Sequence, residues 1–535
     1  MHSKRLVSTA LTLLFALSLV MAACGDNTAT TAPATTAASA ATTAAGAATT
    51  AAGAATTAAA STTAAAGAAT TAAASGGKKV SGEISVYLKA YYDPTADKET
   101  ADLMTSIAKE YETAHPGTKI NLVAAVPAGT DLEAWLAARM AANQSPDIMW
   151  QQFGTRNQRA STWWVPLNQY LNAPNPYIAA GTPGHDKWSD SLPDYVLSQT
   201  KAADGNWYQV SLDWVETGLY YNKDLFAKAG VDPTSWKSWG EFVTDMQKVK
   251  SATNVNPLGM FIAQQGWSNW WWVDDMLLTA NWADKANDFY LDKYKTADAT
   301  RQLNPEEVAK AIIDGKLNAT DARMDNYLKM SKDYYSLLPS DANSIPNLDE
   351  LDPLFYTGKV ASVWTGTWKN KPYEKNIPFN YGVAYLPPFT KADAPGATGS
   401  AYRVGGPSSA GQYGIAQSAV KAGKLDLALD FLQFISAPQN FGRLAQTFGG
   451  YIPMVKGSQT GQVMQGFTKI SQLPERLFND PDNRLSVESG NQWSQAMQAF
   501  FLGQTDVAAT KTKLQEIWMN GAKQLCTTQK YDWCK

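Results

Sequence analysis

Histidine and cysteine are scarce in this chain: each occurs three times in 535 residues. His2 lies in a leader, His115 in a His-Pro-Gly turn and His185 in a Pro-Gly-His-Asp turn. A Ser–His–Asp relay or a histidine-rich metal centre therefore has almost nothing to be built from, and no metal or cofactor is expected. Carboxylate-only chemistry, such as glycoside hydrolysis, survives this shortage. An excess of either charge is also lacking. Forty-five Lys+Arg against 48 Asp+Glu leave a net charge of −3, which gives no electrostatic case for nucleic acid. Beyond the leader no apolar run is long enough to span a bilayer. The length exceeds one ordinary domain, so two lobes are expected.

The first residues read as an export address. Lys4 and Arg5 precede a mostly apolar stretch from Leu6 to Val20, too short for a comfortable membrane span, so residues 1–23 read as a signal peptide. The stretch ends in Met21-Ala22-Ala23-Cys24-Gly25. Small residues before a cysteine resemble a bacterial lipobox, with Met21 where leucine is commoner. That resemblance implies cleavage before Cys24, a lipid on its sulfur, and a place on the outer face of the cytoplasmic membrane. Ordinary cleavage near Ala23, leaving a free thiol, is the alternative. Asn27 to Ser75 is almost entirely Ala, Thr and Gly and holds nothing large enough to build a core, so residues 24–79 read as an anchor cysteine and a solvated tether. At about 5–6 Å × √n its root-mean-square reach is roughly 40 Å. The remaining cysteines, Cys526 and Cys534, bracket CTTQKYDWC. Outside the cytoplasm such a pair is expected to form a disulfide.

After the tether the pattern alternates between strands and helices. Ile84 to Leu88 alternates as a strand. Thr100 to Thr113 is a helix with Leu103, Ile107, Ala108 and Tyr111 on one face, and Lys119 to Val126 is a second strand. A helix from Leu132 to Ala142 and a strand entered through Ser145-Pro146-Asp147 follow. This β-α-β-α-β order argues for a mainly parallel sheet, with ligands at the carboxyl ends of its strands, which puts Tyr87 to Tyr92 and Trp150 to Phe153 on candidate rims. Further on, Trp207 to Leu212 and Gly218 to Tyr221 read as two strands joined by a link too short for a helix, Asp213 to Thr217. Such a link suggests a chain passing from one sheet to another through a cleft. Leu258 to Ile262 reads as a strand, followed by the tryptophan-rich GWSNWWWVDDMLL on an amphipathic helix from Ser268.

DGNWYQVS followed by GLYYNKDLFAKAGVDP-TSWKSWGEF resembles the hinge-crossing signature of the extracellular solute-binding proteins, family 1, that serve ATP-driven sugar importers. AHPGTKINLV…NQSPDI resembles the opening of the same family. Leu354 to Trp368 is similar to its F-x-x-G-K-x-A … G-x-W motif, and the resemblance makes Trp364 to Trp368 a sugar platform. Ala401-Tyr402-Arg403-Val404-Gly405-Gly406 looks like a second crossing, and Gly449 to Pro453 like a third. The implied fold is α/β, a two-lobed periplasmic-binding-protein type II arrangement. Each lobe is a mainly parallel sheet flanked by helices, and the ligand cleft lies between them. Lobe 1 would take residues 80–212 and 406–453, and lobe 2 residues 213–405 and 454–535.

The chain carries 19 Trp, 23 Tyr and 17 Phe. An indole face suits the C–H face of a pyranose, and carboxylates and amides suit its hydroxyls. Asp213, Glu216, Gln151, Asp274 and Asp275 are the polar candidates nearest aromatic ones. The candidate ligand-binding set is Tyr87, Trp150, Gln151, Asp213, Trp214, Trp267, Trp270, Trp271, Trp364, Trp368, Arg403, Gly405 and Gly406. The leading reading is a monomeric, non-enzymatic carbohydrate-binding subunit that closes about its hinge and delivers the sugar to an ABC permease. A surface-anchored glycoside hydrolase and a non-transport sugar sensor or adhesin are the competing readings.

Overall fold

The computed structural model describes residues 79–124, 126, 132–151, 160–202, 204–262, 268–294, 301–407, 410–479 and 485–534, all within the compact unit Thr71–Lys535. The signal peptide, Cys24, the tether and Trp267 lie outside the described residues.

Among the described residues, ten strands form two larger sheets and one small ladder. In chain order they are β1 (Gly82–Tyr87), β2 (Thr118–Leu122), β3 (Ile148–Trp150), β4 (Val210–Ser211), β5 (Asp213–Trp214), β6 (Thr217–Asn222), β7 (Ser362–Gly366), β8 (Tyr381–Ala384), β9 (Gln412–Ile415) and β10 (Ile452–Pro453). The first sheet has the order β2-β1-β3-β9-β4 and the second the order β7-β6-β8. The expected helices are present, α1 (Lys98–Ala114) with Asp97 as its side-chain cap, α2 (Leu132–Ala141) and α3 (Trp270–Trp282), and a further helix, Leu425–Ile435, lies late in the chain.

Strand direction departs from the expectation of mainly parallel sheets. β1 is parallel to β2 and β3, but β9 runs antiparallel to both β3 and β4. In the second sheet β6 is antiparallel to β7 and to β8. One cause explains both sheets. β9 and β6 enter their sheets from a crossing and run away from the cleft, while their neighbours run towards it and end there. A βα repeat predicts only strands of the second kind. Two other strands are shorter than expected. Trp207 to Leu212 yields only Val210–Ser211, and Leu258 to Ile262 is no strand, because Gly259 makes a single bridge to Val363.

One apolar cluster surrounds α3 and the carboxyl-terminal helices, including Trp270, Trp271, Tyr334, Trp493 and Trp518. A second fills the first sheet, with Ile84, Val86, Ile148 and Ile415, and continues through Ile452, Met464 and Phe467 to Tyr220 and Val363 on one face of the second sheet. The two sheets are thus joined by continuous packing as well as by chain.

At the carboxyl end Cys526 and Cys534 form a disulfide that closes the last turn of helix Val507–Gln529 onto Tyr531 and Trp533. Trp533 Nε1 donates to Glu306 at 2.8 Å. Replacing both cysteines by serine is expected to lower the unfolding free energy by roughly 2.6 kcal/mol, the loop-closure value for so short a loop. Urea titration checks it, and an unchanged midpoint would show that the staple adds nothing.

Candidate functional site

Three backbone segments connect the sheets, and the structure laces them side by side. Trp214 pairs with Ile452 and Asp213 with Pro453 in an antiparallel ladder, Val215 bridges Gly406, and Met454 N donates to Leu212 O at 2.8 Å. These are the three crossings expected near residues 214, 404 and 454.

Glu216 is fully buried among them. Its carboxylate accepts from Trp214 Nε1 at 2.8 Å and from Gly405 N at 3.0 Å, so one side chain holds the first crossing to the second. Arg403 lays its guanidinium over the Trp214 ring, 4.8 Å from the centroid, and donates to Gly405 O. Gly405 has no alternative, since a Cβ there would sit 1.9 Å from Val215 O. Burial pushes the Glu216 carboxyl up to about 7, against the pull of Arg403 and of the donors at Trp214, Gly405 and Thr217. Asp213 faces the first sheet. It accepts from Tyr91 Oη at 2.8 Å and from Gly411 N at 2.9 Å, and is fully buried. Asp213, Trp214, Arg403 and Gly405 are therefore brought together, as expected, but as the fabric of the hinge.

The expected aromatic wall divides. On α3 every residue is buried, so helical spacing there marks core. Trp270 packs against Tyr334 and Phe501, and Trp271 donates from Nε1 to Ser494. Both are buried in the core cluster. Asp274 accepts from Trp493 and Tyr327, and Asp275 pairs with Arg476 at 3.1 Å. Trp364 is likewise buried, beneath Tyr385. Trp368 differs: it is half-buried, its ring lies so close over Gly366 that a Cβ there would overlap it at 1.9 Å, and Trp272 meets it edge-to-face at 5.9 Å. Trp272, the third of three adjacent indoles, is buried like the rest of α3, and its edge is what holds Trp368 in place.

On the first sheet, Tyr87 ends β1 with its ring 6.3 Å from Trp135 of α2. Trp150 ends β3 beneath the ammonium of Lys89, which lies 3.7 Å from the ring centroid. Gln151 donates from Nε2 to Tyr208 O, and its Oε1 is buried with no donor among the described residues. Gly406 has its carbonyl and amide in the bridge to Val215.

A tie joins the two sides beside the third crossing. Lys371, in helix Asn370–Asn376 after β7, donates to Thr447 O at 3.0 Å and to Asp97 at the start of α1 at 2.9 Å, with Glu99 at 3.4 Å. Asn370 Nδ2 donates to Gly449 O at 3.0 Å. A partly exposed ion pair contributes about 0.5–1 kcal/mol. Lys371→Met is expected to shift the unliganded protein two- to fivefold towards an open form. A larger radius of gyration by X-ray scattering checks this, and an unchanged radius counts against it.

Among the described residues, no helix is long and apolar enough to cross a membrane and no cluster of His, Cys, Asp and Glu has the spacing of a metal site.

The chain is 25% identical over 367 residues to the sn-glycerol-3-phosphate-binding periplasmic protein UgpB of Salmonella paratyphi A, covering 68% of this chain and 73% of that one. Its fold is shared with a chitin oligosaccharide binding protein (TM-score 0.56, 19% identity, 83% of this chain and 99% of the other). It is also shared with a probable secreted solute-binding lipoprotein from Streptomyces coelicolor (TM-score 0.59, 14% identity, 82% and 99%). Each of these relatives is named as a binding protein. Residues 106–474, well over half of the chain, match the family model for bacterial extracellular solute-binding proteins, and the chain belongs to that family.

Proposed function

We propose that this protein captures a carbohydrate or a related polyol between its lobes and passes it to the membrane subunits of an ATP-driven importer. The observation that carries the reading is the trio of crossings, the first and second clasped by Glu216 and the first and third paired as a ladder, with the half-buried Trp368 held ready beside them. Rotation about those threads closes the lobes, and a solute touching both sides favours the closed form by the contacts it makes only there. The sugar-binding and glycerol-phosphate-binding relatives support the solute class. In this reading lobe 1 takes residues 80–212 and 406–453, and lobe 2 residues 213–405 and 454–535. Trp368 is the platform, Tyr87 and Gln151 face it from the first lobe, and no residue acts as a catalyst. A lipid on Cys24 holds the monomer at the outer face of the cytoplasmic membrane, with the Ala/Thr-rich segment as tether.

Thermal denaturation of residues 76–535 against neutral oligosaccharides, polyols and their phosphates tests it. A solute present at 100 times its dissociation constant adds about 2.7 kcal/mol of stability. The sugar should be recovered unchanged. If no carbohydrate or polyol compound raises the melting temperature, the reading fails. Turnover of the sugar would favour the hydrolase.

A further inference from the structure

We propose that Lys89 makes the first-lobe wall of the cleft a subsite for an anionic group, so that the solute carries a carboxylate or a phosphate on its sugar or polyol. This inference rests on the cleft reading above and narrows it.

Lys89 follows the carboxyl end of β1, where an open α/β sheet presents its ligand loops. Its backbone is in the left-handed region, φ 51°, which a lysine adopts only when its surroundings impose it. Those surroundings are visible. Leu88 O accepts from Tyr91 N at 3.2 Å and from Tyr413 Oη at 3.4 Å, and Tyr91 Oη donates to Asp213 in the first crossing. The turn that aims Lys89 is thus bolted to the hinge, and an unusual backbone is kept there.

The side chain has the indole of Trp150 on one side, and among the described residues no carboxylate pairs with it. Its ammonium, 3.7 Å from the ring centroid, is half-buried, and burial alone lowers its pKa, with no acid opposing the shift. The acids nearest in sequence are engaged elsewhere. Asp93 accepts from Thr95 and Ala96, and Asp97 caps α1 and pairs with Lys371. A partly desolvated cation of this kind binds an anion more strongly than a hydrated surface lysine would. The same geometry disfavours a neutral pyranose, because the ammonium already covers the Trp150 face on which such a sugar would stack. One residue along, Gln151 Oε1 has no donor among the described residues and offers an acceptor for a hydroxyl of the same solute.

The test is calorimetric, using charge-matched pairs: sn-glycerol 3-phosphate against glycerol, and digalacturonate against the neutral digalactoside. The wild-type protein should bind at least one charged member tenfold or more tightly than its neutral partner, and more weakly as salt is raised. Which pair responds tells phosphate from carboxylate. Lys89→Met, which keeps the stem over Trp150, should remove the preference, and Lys89→Arg should restore most of it. Equal or better binding of the neutral members, or a charge preference that survives Lys89→Met, overturns the subsite while leaving a neutral-sugar cleft intact. If neither these pairs nor any other carbohydrate binds, the cleft reading falls as well. The salt dependence of the wild-type protein decides the matter even if the methionine variant does not fold.

Discussion

Trp368→Ala is expected to weaken solute binding ten- to a hundredfold while leaving the fold intact. The indole is half-buried, yet it is not loose: it lies over Gly366 and takes the edge of Trp272. A rigid aromatic surface loses little entropy when a sugar ring settles on it. Covering such a surface contributes about 1.5–3 kcal/mol, which sets the expected range. Gly366→Ala provides an independent check. The new methyl touches no solute, but it overlaps the indole and must push it aside, so affinity should fall in the same direction. Trp270→Ala is the control: its ring sits in the core against Tyr334 and Phe501, and its loss should cost about 3–5 kcal/mol of stability. Titration calorimetry and urea unfolding on the three variants separate the two effects. Affinity within twofold of wild type for Trp368→Ala would remove this residue from the site.

What could be read from the sequence was set by how local its signal is. The crossing at Asp213 to Thr217 was legible because two strand patterns stood too close together for any other connection, and the partners near 404 and 454 came from the family resemblance. Strand direction was not legible, since β6 and β9 alternate like any buried strand and only their entry from the hinge sets their sense. The packing of the α3 tryptophans was not legible for a related reason. The amphipathic reading put Trp270 and Trp271 on a ligand-facing stripe, whereas the helix is buried on every side, which local spacing does not reveal. Glu216 appeared only as a polar group among aromatics. Its clasp on Gly405 joins residues 189 positions apart, beyond the reach of any local pattern. Lys89 lay on the candidate rim from Tyr87 to Tyr92, but neither its left-handed backbone nor the indole beneath it can be seen in the order of residues.

Glu216 gives the chain a proton-linked hinge. The carboxyl titrates near 7 in the folded protein and near 4.5 in the unfolded chain. Between those values the folded protein holds a proton that the unfolded chain has released. The associated stability is therefore fully present below about 4.5 and is lost as the pH rises through 7, up to about 3 kcal/mol in all. Glu216→Gln cannot titrate, so urea midpoints measured from pH 5 to 8 should decline less steeply than in the wild type, with the difference concentrated below pH 7. At pH 8 the glutamine also loses one acceptor, leaving either Trp214 Nε1 or Gly405 N without a partner, at a cost of about 1–3 kcal/mol. Glu216→Ala removes both acceptors and leaves Arg403 without its counter-charge. It should destabilise by about 3–5 kcal/mol and free the first crossing from the second. Parallel pH profiles for Glu216→Gln and the wild type would show that the carboxyl does not titrate between the lobes. If they diverge as expected, the threads about which the lobes turn are held more tightly in acid than in alkali, and solute affinity should follow the same curve.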